Sequence, residues 1–426
     1  MFRSLTLRTL ATNSSIIAVG LVNSVLLSRW LGPAERGEVA AALLWPMLLV
    51  FLGSVGLGPS SLYFTARPDA KPEVVLSNAL IFAILQSLIL IPLGYVVLPW
   101  LLPSQSGSVV SASRYFLGVI PLSLATQYGL SVLQGQMQIS VFNRLRTVIP
   151  IGYLTGVVTL KVLGHLSVFN IIVLQLGLNG LVLTGTFACL LATGVRLRFS
   201  PERSAAKEML KYGAKVQIGD LSQGMNLRLD QTMIAALLPA ADLGLYVTAA
   251  SSASLSQVLS NAFRMVLTPR IAHKDQSAEQ KLMLRSVFRK YWLLSILITL
   301  GLAAILPAAI PLFFGHAFQP AIVPAEVLLL GTMLAGAKDV LAGGAQALGN
   351  PWLGSRAELA ALAVTVILVP ALLPVWGILG AAVAYVVVNA TVLVVVIIGL
   401  RRSYAISPND LFQITSSDLA TPFASL

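Results

Sequence analysis

The sequence predicts an all-α integral membrane protein with twelve transmembrane helices, and three observations predict it. Hydrophobic residues make up 57% of the chain and charged residues only 10%, against about 25% charged in soluble domains. Apolar stretches of about 20 residues, enough to span a bilayer as a helix, recur from one end of the chain to the other. Lysines and arginines collect in alternate connections, as basic flanks that resist translocation do.

The spans centre on 10–30, 39–64, 74–101, 115–135, 147–163 and 167–194 in the first half. In the second half they centre on 216–238, 243–268, 290–314, 322–347, 354–374 and 377–400. Ordinary turn and charge clusters separate them: LGPAERGE, RPDAKPE, PSQSGS, SPERSAAKE, HKDQSAEQK and LGNPW. The opening MFRSLTLRTLATNSS has the basic start of a signal peptide. It lacks a small-residue cleavage site and its apolar run continues through LLSRW, so it reads as the first permanent span.

With both termini on the cytoplasmic side, only Arg29, Arg36, Arg114 and Lys161 fall outside, and Arg228 and Lys338 fall within the membrane. The remaining twenty-two of the 28 lysines and arginines stay inside. An odd number of spans destroys that alternation, so charge supports the even count independently of hydropathy. The net charge of +12 is therefore mainly an insertion signal with some attraction for anionic bilayer lipids. No soluble module exists to present a nucleic acid with a basic face.

Catalysis and metal binding find little support. Cys189 lies in an apolar run and reads as packing, and His165, His273 and His316 sit far apart without zinc spacing. There is no GxxxxGK[ST] loop for a nucleotide, and no large loop with paired acids or a nucleophile and base. The chain is expected to be no enzyme and to need no cofactor.

An internal repeat organises the twelve spans. LGPAERGEVAAA (Leu31 to Ala42) lies over LPAADLGLYVTA (Leu238 to Ala249), with Leu31/Leu238, Ala34/Ala241, Glu35/Asp242 and Gly37/Gly244 in register. LQGQMQ near Gly135 matches ALGNPW near Gly349 at a similar offset. The expected organisation is an N-terminal lobe over 1–198, a linker over 199–215, a C-terminal lobe over 216–402 and a tail over 403–426. Six helices per half give both lobes one orientation, with the repeat axis along the membrane normal.

Three stretches carry a family likeness: SRWLGPAERGEVAAALL, RLDQTMIAALLPAADLGLYVTAA and LLPVWGILGAAVAYVV. Their order and spacing resemble the multidrug/oligosaccharidyl-lipid/polysaccharide (MOP) exporter superfamily, and within it the polysaccharide-biosynthesis flippases of the Wzx type. The resemblance implies MATE-like lobes in a V around a cavity open alternately to each side. It also implies a cargo of undecaprenyl-pyrophosphate-linked oligosaccharide carried across the bacterial inner membrane. Lipid II flippases of the superfamily usually carry two more helices, so twelve spans point to the polysaccharide branch. A polysaccharide polymerase and a chain-length regulator are the implied partners. A drug/cation antiporter and a non-transporting scaffold are the alternatives.

The interior charges supply the candidate site. An ionised side chain at mid-membrane costs about 2.5 to 3.5 kcal/mol, so Asp220, Arg228 and Asp230 are not expected to face lipid. On one continuous helix Arg228 and Asp230 stand about 200° apart, so each needs another partner or water. An interhelical brace and a wet cavity wall both remain open for them. Lys338 lies about 12 Å from the end of its span, beyond the reach of a lysine stem, with Asp339 as its expected companion.

Given the implied cargo, Arg228 and Lys338 are candidates for the pyrophosphate, with Arg146 and Arg264 at the entrance. Asp220, Asp230 and Asp339 are candidates for H+ or Na+ coupling. Asn23, Gln127, Gln223, Asn226, Gln257 and Asn261 are candidates for sugar hydroxyls, with helix-to-helix hydrogen bonding as the alternative for each. Pro46 and the run Gly53 to Pro59 are expected to bend the second span, and Gly343-Gly344 to loosen the tenth.

Overall fold

The computed structural model describes residues 2–195, 200–226, 228–263, 277–350 and 352–413, without the side chains of 2–11, 218–223, 225 and 226. Within these residues the fold is all α, and the described part of each of the twelve expected spans is mainly helix, with breaks inside the second and seventh. The chain forms two compact units, one of Met1–Gly224 with Ala235–Gly244 and one of Met225–Ile234 with Leu245–Leu426.

The first unit begins with α1 (Phe2–Gly53), whose 52 residues make about 78 Å of helix, more than twice a bilayer core of about 30 Å. The sequence divides it at Leu-Gly-Pro. Gly32 takes φ 74°, ψ 176° and ends the first arm, and Pro33 opens the second, where its missing N–H is no loss. Both arms share one apolar cluster: Leu27 and Val39 are buried with Tyr153, Val157, Ile171 and Leu178. Straight helix would hold Leu27 and Val39 about 18 Å apart, so the chain folds back at the break.

Pro46 leaves the second arm helical. The break comes later, at Ser54 to Gly56, where Val55 (φ 48°) and Gly56 (φ 65°) turn left-handed. Pro59 then lies in the first turn of α2 (Leu57–Thr65), again where no N–H is needed. Side chains take up the carbonyls this break leaves behind. Gln217 donates to Phe51 O at 3.0 Å, and Tyr128 donates to Ser54 O at 3.2 Å and to Gln86 at 2.7 Å. Hydrocarbon offers no water to do this, so a break at membrane depth needs polar neighbours.

The rest of the unit is α3 (Pro72–Leu101), α4 (Gly107–Phe116), α5 (Val119–Gly135), α6 (Ile139–Val162), α7 (Val168–Ala192) and α8 (Arg203–Asn226). Leu88, Ile89 and Val162 of α3 and α6 are 66–80% exposed. Such surfaces invite aggregation in water and suit a lipid boundary. The segment 235–244 also packs here, and it does so through two glycines. A Cβ on Gly37 would lie 1.6 Å from Ala240 O, and one on Gly244 would lie 2.0 Å from Pro33 O. These are the glycines the internal repeat aligns, and their contact is reciprocal.

The second unit contains α9 (Leu229–Leu237, divided at Ile234 between the units), part of α10 (Ala240–Ala253), α11 (Ser277–Phe314), α12 (Ile322–Ala347), α13 (Trp352–Tyr404) and the short α14 (Pro408–Phe412). Like α1, α13 is two spans joined at one glycine, Gly377, with φ 55°, ψ −140°. Gly380 lies against the backbone of Leu372, so the two arms form a hairpin. Gly343 and Gly344 are buried within continuous α12, Gly344 against Leu284 of α11. Packing rather than loosening explains that pair.

The foot of the unit is fastened by α14. Ser407 and Asp410 form a reciprocal capping box, Arg285 pairs with Asp410 at 3.1 Å, and Phe412 packs on Phe288 and Trp292. The Ser407 backbone hydrogen bond holds the Asp410 carboxyl below its ordinary range, helped by the Ser407 side chain, Arg285 and Arg289. A carboxyl depressed by folding stabilises above its unfolded value near pH 4 and ceases to do so as pH falls through the folded value. Backbone amide exchange at Asp410 to Phe412 is therefore expected to rise below about pH 4 in the wild type. Asp410→Asn should show that faster exchange already at neutral pH.

Candidate functional site

The seventh span is discontinuous: α8 ends at Asn226 and α9 begins at Leu229. The projection of Arg228 and Asp230 onto one continuous helix therefore does not hold. The two side chains separate by environment instead. Arg228 sits in a turn before α9, exposed, with Nη1 donating to Gln231 Oε1 at 3.4 Å. Asp230, in the first turn of α9, is 8% exposed. Its Oδ1 accepts from Gln231 N at 2.7 Å and its Oδ2 from the Tyr246 hydroxyl.

Around Asp230 the second unit assembles an array of carboxyls and phenols. Tyr246 of α10 is fully buried. Tyr385, on the second arm of α13, lies within electrostatic range of Asp230 and Asp339, and Tyr291 of α11 within range of Asp339. Two glycines of α12 make the room. A Cβ on Gly331 would lie 2.4 Å from the Tyr385 ring, and one on Gly336 would lie 2.0 Å from the Tyr291 hydroxyl.

Lys338 is buried at 9% and forms an ion pair with Glu358 of α13, itself 9% exposed. The carboxylate against the ammonium is thus Glu358, twenty positions on, and not the adjacent Asp339 expected from sequence. Antiparallel α12 and α13 meet through the turn at Gly349 (φ 88°), which sets Lys338 opposite Glu358. Ala337, Leu341, Ala357 and Ala361, which flank the pair along the two helices, belong to one buried apolar cluster. Sequence reading missed Glu358 although the signal was present, a lone acid in the apolar run RAELAALAV.

The other sequence candidates are scattered. Arg146 is half-buried on α6 with its guanidinium over the Phe142 ring at 5.1 Å. Asn23 is buried and donates to Pro150 O at 3.0 Å. Gln127 is exposed on α5, Gln257 is half-buried, and Asn261 is exposed in the helical segment 257–263. Arg264 and the side chains of Asp220, Gln223 and Asn226 lie outside the described residues. No group of three metal-ligating side chains occurs among the described residues.

The arrangement sets one buried carboxylate, Asp230, hydrogen-bonded to the Tyr246 phenol, two residues from the exposed Arg228 guanidinium at a helix break. Residues 6–274 match the family model described as polysaccharide biosynthesis protein. The chain belongs to that family. Its fold is shared with solved structures of a lipid II flippase and of multidrug transporters.

Solved structures of similar fold cover nearly the whole chain. "Lipid II flippase MurJ" in an inward closed conformation is 14% identical over 97% of this chain and 91% of its own, with a TM-score of 0.80. An inward-facing MATE multidrug resistance transporter is 16% identical over 91% and 94%, with a TM-score of 0.70. The eukaryotic MATE transporter AtDTX14 is 15% identical over 95% of each chain, with a TM-score of 0.64. No curated protein matches the sequence.

Proposed function

We propose that this family member is a flippase that moves undecaprenyl-pyrophosphate-linked oligosaccharide across the bacterial inner membrane for cell-surface polysaccharide synthesis. It works by alternating access, coupled to H+ or Na+, with both termini cytoplasmic. The observation that carries the reading is Arg228, an exposed guanidinium at the break in the seventh span. The tail of such a cargo stays in lipid while the pyrophosphate needs fixed donors along its way. The exposed guanidinium at this helix start supplies one. The family match and the flippase among the similar structures support the same reading.

Asp230 and Asp339, with Asp220, are the groups we assign to coupling, and polymerase and chain-length regulator are the proposed partners. A drug antiporter of the MATE kind is the rival, and a cation at the break disfavours its cationic cargo.

The test is transfer of a labelled polyprenyl-pyrophosphate oligosaccharide across liposomes containing the protein, scored by an impermeant sugar-modifying reagent. Lipid II and a cationic dye run as parallel cargoes. Arg228→Ala should slow transfer about 10- to 100-fold, the scale of a lost charge-assisted hydrogen bond. Asp230→Asn should make the residual rate indifferent to an imposed ion gradient. Dye uptake without lipid transfer would sink the flippase reading in favour of the antiporter, and transfer of lipid II alone would reassign the cargo.

A further inference from the structure

We propose that the first half of α8, Arg203 to Lys215, is a binding strip for anionic bilayer lipid. The inference is independent of the cargo. Arg203, Lys207, Lys211 and Lys215 recur every four residues and all four are exposed. At 100° per residue they drift by only about 40° per step, so they form one stripe along the helix. Glu208 is the one acid in this half of the helix, and among the described residues none of the four cations has an ion-pair partner.

The opposite face is fixed to the protein. Met209 and Gly213 are buried, with Met209 O accepting from Ser60 Oγ at 2.8 Å. Gly213 is in backbone contact with Gly56, where a Cβ would lie 3.0 Å from the Gly56 carbonyl. Tyr212 stacks on Tyr63 at 4.4 Å. Just before the helix, the Glu202 backbone is tied twice to Asn78, through N to Oδ1 at 3.3 Å and O to Nδ2 at 3.2 Å. The stripe is thus a rigid feature of the first unit.

Its neighbours place its Arg203 end at headgroup depth, and the lysine stems further along can reach up to the same level. It packs beside the end of α2, where the chain leaves the apolar run through Arg67 and Asp69, ion-paired at 3.3 Å, and beside the entry of α3 after Lys71. Tyr63, 47% exposed and stacked on Tyr212, is the kind of amphipathic ring that settles at the membrane interface. Leu210, 40% exposed, borders the stripe and gives it an apolar edge toward acyl chains. A basic helix face with an aromatic anchor and an apolar edge fits a surface of phosphate headgroups carrying net negative charge. Each cation near such a surface raises the local preference for it about fivefold at low salt.

The experiment uses the full chain in vesicles of phosphatidylcholine and phosphatidylglycerol at 7:3, with Cys189→Ser and a bimane on Leu210→Cys. Brominated acyl chains are placed on one lipid at a time. Quenching should report phosphatidylglycerol enriched several-fold over its bulk share, with the enrichment falling as salt rises. Changing Arg203, Lys207, Lys211 and Lys215 to Gln should return the ratio to bulk, and changing the three lysines to Arg should keep it.

A second bimane on Leu88→Cys, exposed in the middle of α3, should report the bulk ratio throughout and verifies insertion. The milder pair Lys207→Gln with Lys211→Gln serves if the fourfold variant does not insert. Equal quenching by both lipids, or enrichment unchanged in the Gln variants, overturns the proposal. Absence of quenching by either lipid at Leu210 also overturns it, since the stripe would then face water and suit an acidic protein instead.

Discussion

Replacing Lys338 with Met should lower stability by about 3 to 5 kcal/mol, and replacing Glu358 with Leu by a similar amount, whereas the double variant should regain most of the loss. The asymmetry follows from desolvation. Both groups are buried on helices that share one apolar cluster, and removing either takes from the other the oppositely charged group it is paired with. Together they satisfy one another, and a well-packed apolar pair does nearly as well. Thermal unfolding of the purified protein in one detergent, with transfer rate measured beside it, checks the cycle. A double variant as stable as wild type but inactive in transfer would show a role in transport beyond bracing. A double variant that is stable and active would remove Lys338 from the pyrophosphate site.

Gly37→Val and Gly244→Val should be the most damaging single substitutions in the first unit. The added Cβ at Gly37 meets a carbonyl oxygen at 1.6 Å, and that at Gly244 meets one at 2.0 Å. Both obstacles are backbone, so no side chain can swing aside. The helices must separate, with losses above the usual range of about 1 to 3 kcal/mol for overpacking. Gly164→Ala is the control, because nothing stands within 4 Å of a Cβ there and the cost is limited to its φ of 73°. Expression and detergent-stable yield distinguish the three, and equal yields for all would contradict the close crossing.

The spans were legible because hydropathy and charge alternation act on whole segments, and a membrane admits only helices that satisfy their own backbone. LGP at Gly32 was legible as a boundary for the same local reason, glycine to end a helix and proline to begin the next. The bend falls within the run Gly53 to Pro59, where the left-handed turn at Val55 and Gly56 makes it and Pro59 follows, while Pro46 leaves its helix unbroken. The break at Arg228 escaped because NLRLDQ contains neither proline nor glycine. Its exposed arginine beside a buried aspartate is decided by which helices surround it. The Lys338–Glu358 pair escaped in the same way: helical projection sees only partners on the same helix, and this one is across the turn. Nothing in the local sequence around Gly331 and Gly336 marks the two tyrosines they admit, Tyr385 and Tyr291, because both come from other helices.

The single-residue turn at Gly377 has a consequence for how the chain enters its membrane. The two arms of α13 are joined without a loop, between Pro374-Val-Trp and Ile-Leu-Gly, so almost nothing polar has to be carried over the bilayer when the second arm follows the first. The arms can partition from the translocation channel together as a preformed helical hairpin. Its free ends bear Arg356 at one and Arg401 and Arg402 at the other, and with the cytoplasmic termini proposed above all three would hold back on the side of synthesis. On that orientation the last two spans carry at their own ends the charges that set their sidedness.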